Sequence, residues 1–337
     1  MTNLGNTCFL NSCIQLLNYT EEIPPADSLI DQNSTNEEDI KVYQEWQELK
    51  NIMFDVRGRM PNPVVNPGRF VKTIHEVAIS KGRELFTGWA QNDLPEFLLF
   101  MIDCIHNARR RPVNIVVKGS IELPEDDLAF KCYSMLKENY ENGDYSELSD
   151  VFYGVYVSRL YTPDKSALHS IKPEQYCILD LPIPQQNRTK FSAISVYDCL
   201  DEFIADELLS GWMNEKTQQT EPICKNIAFW NFPKVLIITL KRYSPDGLYK
   251  NCTLIDFPVK DHLDLSNYVV GYKASTYKYK LYGVANHMGS ISGGHYTAFA
   301  KMPNNSTWYC FNDDMVSEIE QTQIVSPFAY CLFYRKI

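Results

Sequence analysis

Apolar residues recur at helical spacing in several stretches of the first half of the chain. From Phe9 to Tyr19 the positions Phe9, Cys13, Leu16 and Leu17 share one face, which predicts a helix that buries that face. Residues Glu21 to Glu38, rich in Pro, Asp, Asn, Ser and Thr, read as a loop. Glu37 to Phe54 returns to helical periodicity through Ile40, Tyr43, Trp46 and Leu49, and the Pro- and Asn-rich stretch Pro61 to Pro67 closes it. A third helix follows Gly68 with Phe70, Val71, Ile74 and Val77 apolar; His75 on it reads as a surface or core residue. The next begins at Asn92 or Asp93, either of which can cap it, carries Pro95 in its first turn and runs to Ile105. Asp126 to Asn139 and Ser195 to Leu209 are also helical in pattern, with Ser195 as a cap.

Strand-like runs dominate the remainder. Asp150 to Tyr161 turns β-like through Phe152, Tyr153, Val155, Tyr156 and Val157, and Tyr176 to Leu181 is a second candidate. The run Val235-Leu236-Ile237-Ile238-Thr239-Leu240, within Lys234 to Tyr243, is rich in β-branched residues. Near the C-terminus Tyr277 to Ala285, His295 to Lys301, Trp308 to Phe311 and Phe328 to Tyr334 alternate with Gly- and Asn-rich turns and fit an antiparallel sheet.

Composition narrows the class. The 337 residues, 45% hydrophobic and 22% charged, are ordinary for a globular protein with room for a large core, and one domain with subdomains is expected. A net charge of −10, from 42 acidic and 32 basic residues without a clustered basic face, disfavours nucleic acid and suits a basic partner. No apolar run approaches the roughly 18 residues that span a bilayer, and the N-terminus lacks a basic-then-apolar signal, so an intracellular protein is expected. The ten cysteines then read as reduced thiols.

Two stretches at opposite ends carry candidate chemistry. In Asn3-Leu4-Gly5-Asn6-Thr7-Cys8-Phe9-Leu10-Asn11-Ser12, a Gly-Asn turn enters the first helix and sets Cys8 in its first turn. Unpaired backbone N–H groups and the helix dipole favour a thiolate there, below the pKa of about 8.5 of a free cysteine. Asn3 can swing its amide toward the sulfur and, with the backbone N–H of Cys8, receive an oxyanion. A capped helix with a buried cysteine is the bland alternative. At the other end, Gly293-Gly294-His295-Tyr296-Thr297-Ala298 heads a strand, and Trp308-Tyr309-Cys310-Phe311-Asn312-Asp313 ends in a turn. A hairpin between them lets Asn312 or Asp313 hold one ring nitrogen of His295, and a thiol remote in sequence is the expected partner of such a histidine.

The N-terminal segment, Gly293-Gly294-His295-Tyr296-Thr297-Ala298 and Trp308-Tyr309-Cys310-Phe311-Asn312-Asp313 resemble the Cys and His boxes of the ubiquitin-specific proteases, and the run ending Leu240-Lys241-Arg242-Tyr243 resembles that family's central strand. The resemblance implies an α+β, papain-like fold with a helical thumb over residues 1–110, fingers and part of the palm over 111–250, and a β palm over 251–337. It implies a deubiquitinase in which Cys8 is the nucleophile, His295 the base, Asn312 its orienting partner, Asp313 a second orienting carboxylate and Asn3 an oxyanion donor. Gly293, Gly294 and Tyr296 would wall a channel for a Gly-Gly tail, and His287 would be structural. Gln91-Asn92-Asp93 resembles the family's Gln-Gln-Asp box with Asn92 in place of the second Gln, so Asp93 and Glu96 would grip an arginine of the ubiquitin tail.

The middle of the chain departs from the family, many of whose members hold zinc through two Cys-x-x-Cys pairs. Here Cys177, Cys199 and Cys224 are isolated and His169 has no spaced partner, so fingers without metal and an enzyme without cofactor are expected. A stoichiometric zinc in the purified protein would contradict this. The expected partners are ubiquitin and ubiquitinated proteins, with no nucleic acid and no membrane, for a cytoplasmic or nuclear monomer. Since the boxes stand close to both ends, no appended adaptor domain is expected. A protease for another ubiquitin-like modifier and a catalytically silent ubiquitin-binding module are the alternatives; an intact Cys8, His295 and Asn312 argue against the second.

Overall fold

In the computed structural model the described residues are 1–25, 36–56, 63–185, 193–214, 217–290, 293–303 and 306–337. Much of the expected Glu21 to Glu38 loop, the start of the Pro61 to Pro67 stretch, and Ile291 and Ser292 of the glycine loop lie outside them. Among the described residues the helices α1 (Cys8–Asn18), α2 (Glu37–Val56), α3 (Gly68–Ser80), α4 (Leu94–Arg109), α5 (Pro124–Glu141) and α6 (Glu147–Phe152) come first. Then follow β1 (Gly154–Tyr161), β2 (Leu168–Tyr176), β3 (Ile178–Pro182), β4 (Ile194–Ser195), α7 (Val196–Ile204), β5 (Glu207–Asn214), β6 (Gln219–Asn231), β7 (Val235–Lys241), β8 (Ile255–Asp256) and β9 (Leu263–Asp264). The chain ends with β10 (Lys278–Ser290), β11 (Gly293–Lys301), β12 (Trp308–Asn312), β13 (Met315–Ile319) and β14 (Ala329–Lys336).

The larger sheet has the order β13-β12-β11-β10-β14-β7-β3, with β9 beside β10. Its pairs are antiparallel except β3 with β7, so the fold is α+β. The continuous apolar run of β7 follows from burial on both faces. Val235 and Ile237 join the core built on α1 to α4, while Leu236, Ile238 and Leu240 join a second core under α7. A separate four-stranded antiparallel sheet, β2-β1-β6-β5, carries α5, which packs Leu128, Ala129 and Cys132 on Val155, Val157 and Trp230.

Helix α1 differs from the expectation that it buries one face: every residue from Cys8 to Asn18 is buried. It threads the first core, and some of its polar side chains bond internally, while Gln15 Oε1 and Asn11 Oδ1 are buried without a partner among the described residues. Asn18 accepts from Trp46 Nε1 at 3.1 Å, and Thr20, just beyond the helix, pairs with the Tyr282 hydroxyl at 2.8 Å. The strand expected from Asp150 begins instead at Gly154. Ser146 Oγ accepts from the Leu148 N–H at 3.1 Å and caps α6, which buries Val151 and Phe152 in the first core. Likewise the helix expected to reach Leu209 stops at Ile204, because Glu207 to Asn214 pairs with β6. All ten cysteines are unpaired thiols. No helix among the described residues is long and apolar enough to cross a membrane.

Candidate active site

The turn before α1 is built on one side chain. Asn3 Oδ1 accepts from Gly5 N at 3.0 Å, Thr7 N at 3.2 Å and Thr7 Oγ1 at 3.2 Å. Gly5 and Asn6 have positive φ, +105° and +55°, a conformation that Gly and Asn tolerate. The turn delivers Cys8 as the first residue of α1, buried but lining a cleft. The Asn3 amide nitrogen donates to Asp313 Oδ2 at 2.8 Å. The other oxygen of Asp313 accepts from Asn11 Nδ2 at 2.8 Å. Asp313, itself left-handed at φ +51°, thus binds the β12–β13 turn to the Cys8 segment. It makes no hydrogen bond to His295, the second role the sequence offered it.

Asn312 makes that bond. Its Oδ1 lies 2.6 Å from His295 Nε2, so an accepting oxygen leaves the hydrogen on Nε2 and the lone pair on Nδ1. The sulfur of Cys8 lies against the backbone N–H of Tyr296, one peptide bond from His295. The start of α1 with its thiol therefore packs against β11 and β12, the strands that carry His295 and Asn312. Burial pushes the Cys8 thiol above its ordinary value. The Tyr296, Phe9 and Cys8 N–H groups oppose this, while Asp313 adds to it. The helix start therefore does not by itself produce the thiolate expected from sequence, because desolvation outweighs the backbone donors. The thiol is the resting form of Cys8 considered alone.

Beside Cys8 opens a cleft of about 370 Å³ whose walls include Gln91, Asp93, Tyr243, His287, Tyr296 and Tyr330. Gln91 clasps the glycine loop across it, accepting from Gly294 N at 2.8 Å and donating to Gly294 O at 3.1 Å. Gly294 has no room for a side chain: a Cβ would sit 2.2 Å from His287 Nε2 and 2.5 Å from Met288 O. Gly293 is less constrained, a Cβ meeting only Gln91 Oε1 at 3.5 Å. His287 Nδ1 faces the Tyr243 hydroxyl at 2.5 Å and Lys250 Nζ at 2.9 Å, and Lys250 also donates to the His287 carbonyl at 2.6 Å. Burial, then Lys250, then His295 push His287 down to about 4, so it is neutral at neutral pH. That matches a wall residue and not a base.

Asp93 and Glu96 share the first turn of α4 but not the same surroundings. Asp93 caps the helix and accepts from Tyr330 Oη at 2.9 Å and Tyr296 Oη at 3.3 Å. Burial raises its pKa against these donors. Glu96 is exposed at the cleft rim, its pKa raised by partial burial and by Asp93. Only Glu96 is therefore free of internal bonds to meet a cation, while Asp93 first orients two tyrosines. Gln91, Asn11, Tyr243, Lys250 and Tyr330 were not singled out from sequence. Gln91 stands two residues before Asp93 and Asn11 one helical turn after Cys8, which are usable signals. Tyr330 reads as any strand aromatic.

The model of the family described as ubiquitin carboxyl-terminal hydrolase matches residues 1–334. The chain is 31% identical over 343 residues to ubiquitin carboxyl-terminal hydrolase Usp2 of Drosophila melanogaster, covering 100% of this chain and 34% of that protein. It is 30% identical over 357 residues to ubiquitin carboxyl-terminal hydrolase 2 of Homo sapiens, covering 99% and 54%. It thus spans about a third to a half of these curated relatives. A solved structure of the SAGA Ubp8/Sgf11/Sus1/Sgf73 DUB module bound to ubiquitin aldehyde superposes with a TM-score of 0.70 at 24% identity, covering 100% of this chain and 69% of that one. At that identity the likeness is one of fold.

Proposed function

The chain belongs to the ubiquitin carboxyl-terminal hydrolase family, and from that premise we propose that it is a thiol-dependent deubiquitinase cleaving the bond after the terminal glycine of ubiquitin. The observation that carries the reading is the meeting of Cys8 with the strand of His295, whose Nε2 is held by Asn312 at 2.6 Å. His295 Nδ1 takes the proton from Cys8 Sγ as the sulfur attacks the carbonyl carbon. The backbone N–H of Cys8 and the Asn3 amide receive the oxyanion. The imidazolium then returns its proton to the leaving lysine amine, giving a thioester. Water, deprotonated by His295, attacks the thioester and releases the ubiquitin carboxylate and the Cys8 thiol. We read the unit as a monomer acting inside the cell, with residues 1–110, 111–250 and 251–337 as thumb, fingers with part of the palm, and palm.

The contact between Asn3 and Asp313 fits this scheme. An amide nitrogen has two hydrogens, so one bond to Asp313 Oδ2 leaves the second for the oxyanion and fixes where it points. Removing a donor of this kind costs on the order of 10²-fold in kcat. Asn3→Ala should lose about that much, and Asp313→Ala a comparable amount; since both act through one hydrogen bond, the double variant should lose little more than either. Fully multiplicative losses in kcat would separate Asp313 from Asn3.

The reading as a whole is tested with a ubiquitin vinyl sulfone, which alkylates a reactive thiol only when the tail is seated. The expected result is an adduct on Cys8 that Cys8→Ala abolishes. A well-folded protein that forms no adduct would overturn the proposal, and an adduct only with the probe of another ubiquitin-like modifier would redirect it.

A further inference from the structure

The strand order of the larger sheet separates the two sides of the reacting bond. At one end of that sheet lie, in spatial order, Tyr243 just beyond β7, Tyr330 on β14, His287 on β10, Tyr296 on β11 and Asn312 on β12. The first four wall the cleft, so the cleft occupies one flank of His295. Strands β12 and β13 form the other. A tail lying in the cleft must hand its scissile carbonyl to Cys8, so the lysine on the far side of that bond departs across β12 and β13.

Strand β13 has features suited to receiving it. It is the outermost strand, bonded to β12 on one side with no strand on the other among the described residues. It starts three residues after Asn312, and its first two side chains are apolar yet open, Met315 at 68% and Val316 at 54% exposure. Asp314, Glu318 and Glu320 beside them are exposed and make no salt bridge among the described residues. Charged residues commonly blunt an edge against aggregation. Two exposed apolar side chains next to the catalytic turn work against that purpose, and an open edge with apolar side chains at its start and acidic ones at Glu318 and Glu320 is what an added basic strand recognises.

We propose that β13 and the Asp313–Asp314 turn dock the acceptor: an extended, lysine- and arginine-rich segment of the protein that carries ubiquitin, added to the open edge of β13. Its apolar side chains cover Met315 and Val316, and its cations meet Asp314, Glu318 and Glu320. The inference rests on the deubiquitinase reading and names the acceptor class of that same site.

The test compares ubiquitin joined to the central lysine of a short Lys/Arg-rich peptide, ubiquitin joined to a Glu-rich peptide, and a ubiquitin amide of a small fluorophore that has no acceptor segment. The wild type should favour the basic conjugate over the acidic one by roughly tenfold in kcat/KM at low salt, less as salt screens the charges. Glu318→Lys/Glu320→Lys should erase or invert that preference while the small amide is cleaved within about twofold of the wild-type rate, since rim charges act on encounter with the acceptor alone. Equal rates on the two conjugates, or a preference that survives the charge reversal, overturns the docking strand. A wild type that cleaves not even the small amide sinks the deubiquitinase reading, and the docking strand with it. Concentration-dependent dimerisation lost in Met315→Ser/Val316→Ser would give the edge to a second copy of the chain and likewise overturn the proposal.

Discussion

Replacing His295 by alanine is expected to lower kcat/KM for a ubiquitin amide on the order of 10⁴-fold, because general-base transfer from the sulfur is lost while the cleft stays intact. Cys8→Ala should leave no measurable turnover, since no other thiol stands at the head of α1. Asn312→Ala keeps the ring but loses the bond that fixes its tautomer and tilt, so its loss is of the same kind and smaller. The sign of the pH dependence follows from Cys8. Without the imidazole, attack requires the thiol to ionise by itself, and burial holds that ionisation above the ordinary thiol value. Residual activity of His295→Ala should therefore still be climbing with pH at the pKa of a free cysteine, about 8.5. A plateau reached below that pH would contradict the assignment of the base, as would wild-type rates in this variant.

Gly294→Ala should be the most damaging small change outside the reacting groups. Its Cβ would lie 2.2 Å from His287 Nε2 and 2.5 Å from Met288 O, far inside van der Waals contact with groups held by β10. His287 cannot withdraw easily, being fixed by Tyr243, Lys250 and its own strand. The strain must then part β10 from β11 or break the Gln91 clasp, and either displaces His295, the next residue. Misplacement of about 1 Å at a catalytic group costs roughly 10²-fold, and overpacking of this type costs about 1–3 kcal/mol of stability. A fall of at least that size in kcat/KM with a lowered Tm is expected. Wild-type kinetics in Gly294→Ala would show that the loop does not hold His295 in register.

Helices α1 to α5, the apolar strand β7 and the C-terminal strands were legible because each carries its periodicity locally. Strands β2 and β5 were not, because their side chains are exposed or only half-buried on both sides over much of their length and so lack the alternation that marks a half-buried strand. Asp150 to Phe152 was misread for a related reason: apolar residues in a short run fit either a strand or a capped turn of helix, and Ser146 decided the matter.

The candidate site divides in the same way. Motif pattern marked Cys8, His295 and the Asn312–Asp313 corner as candidates, and the family resemblance gave them their roles, because a lone thiol at a helix start also fits a buried structural cysteine. Reach suggested Asn3 at the sulfur and Asp313 at His295, and the family resemblance implied that Asp93 grips an arginine. Packing assigned these side chains other immediate partners: Asn3 and Asn11 bond Asp313, Asp93 bonds two tyrosines, and Gln91 bonds Gly294. Local sequence determines which groups are available and which segments bend or coil, since propensity and turn chemistry act over a few residues. Hydrogen bonds between partners as far apart as Asn3 and Asp313, 310 residues, and the desolvation that raises Cys8, arise only when distant surfaces close on one another, and they belong to the tertiary structure.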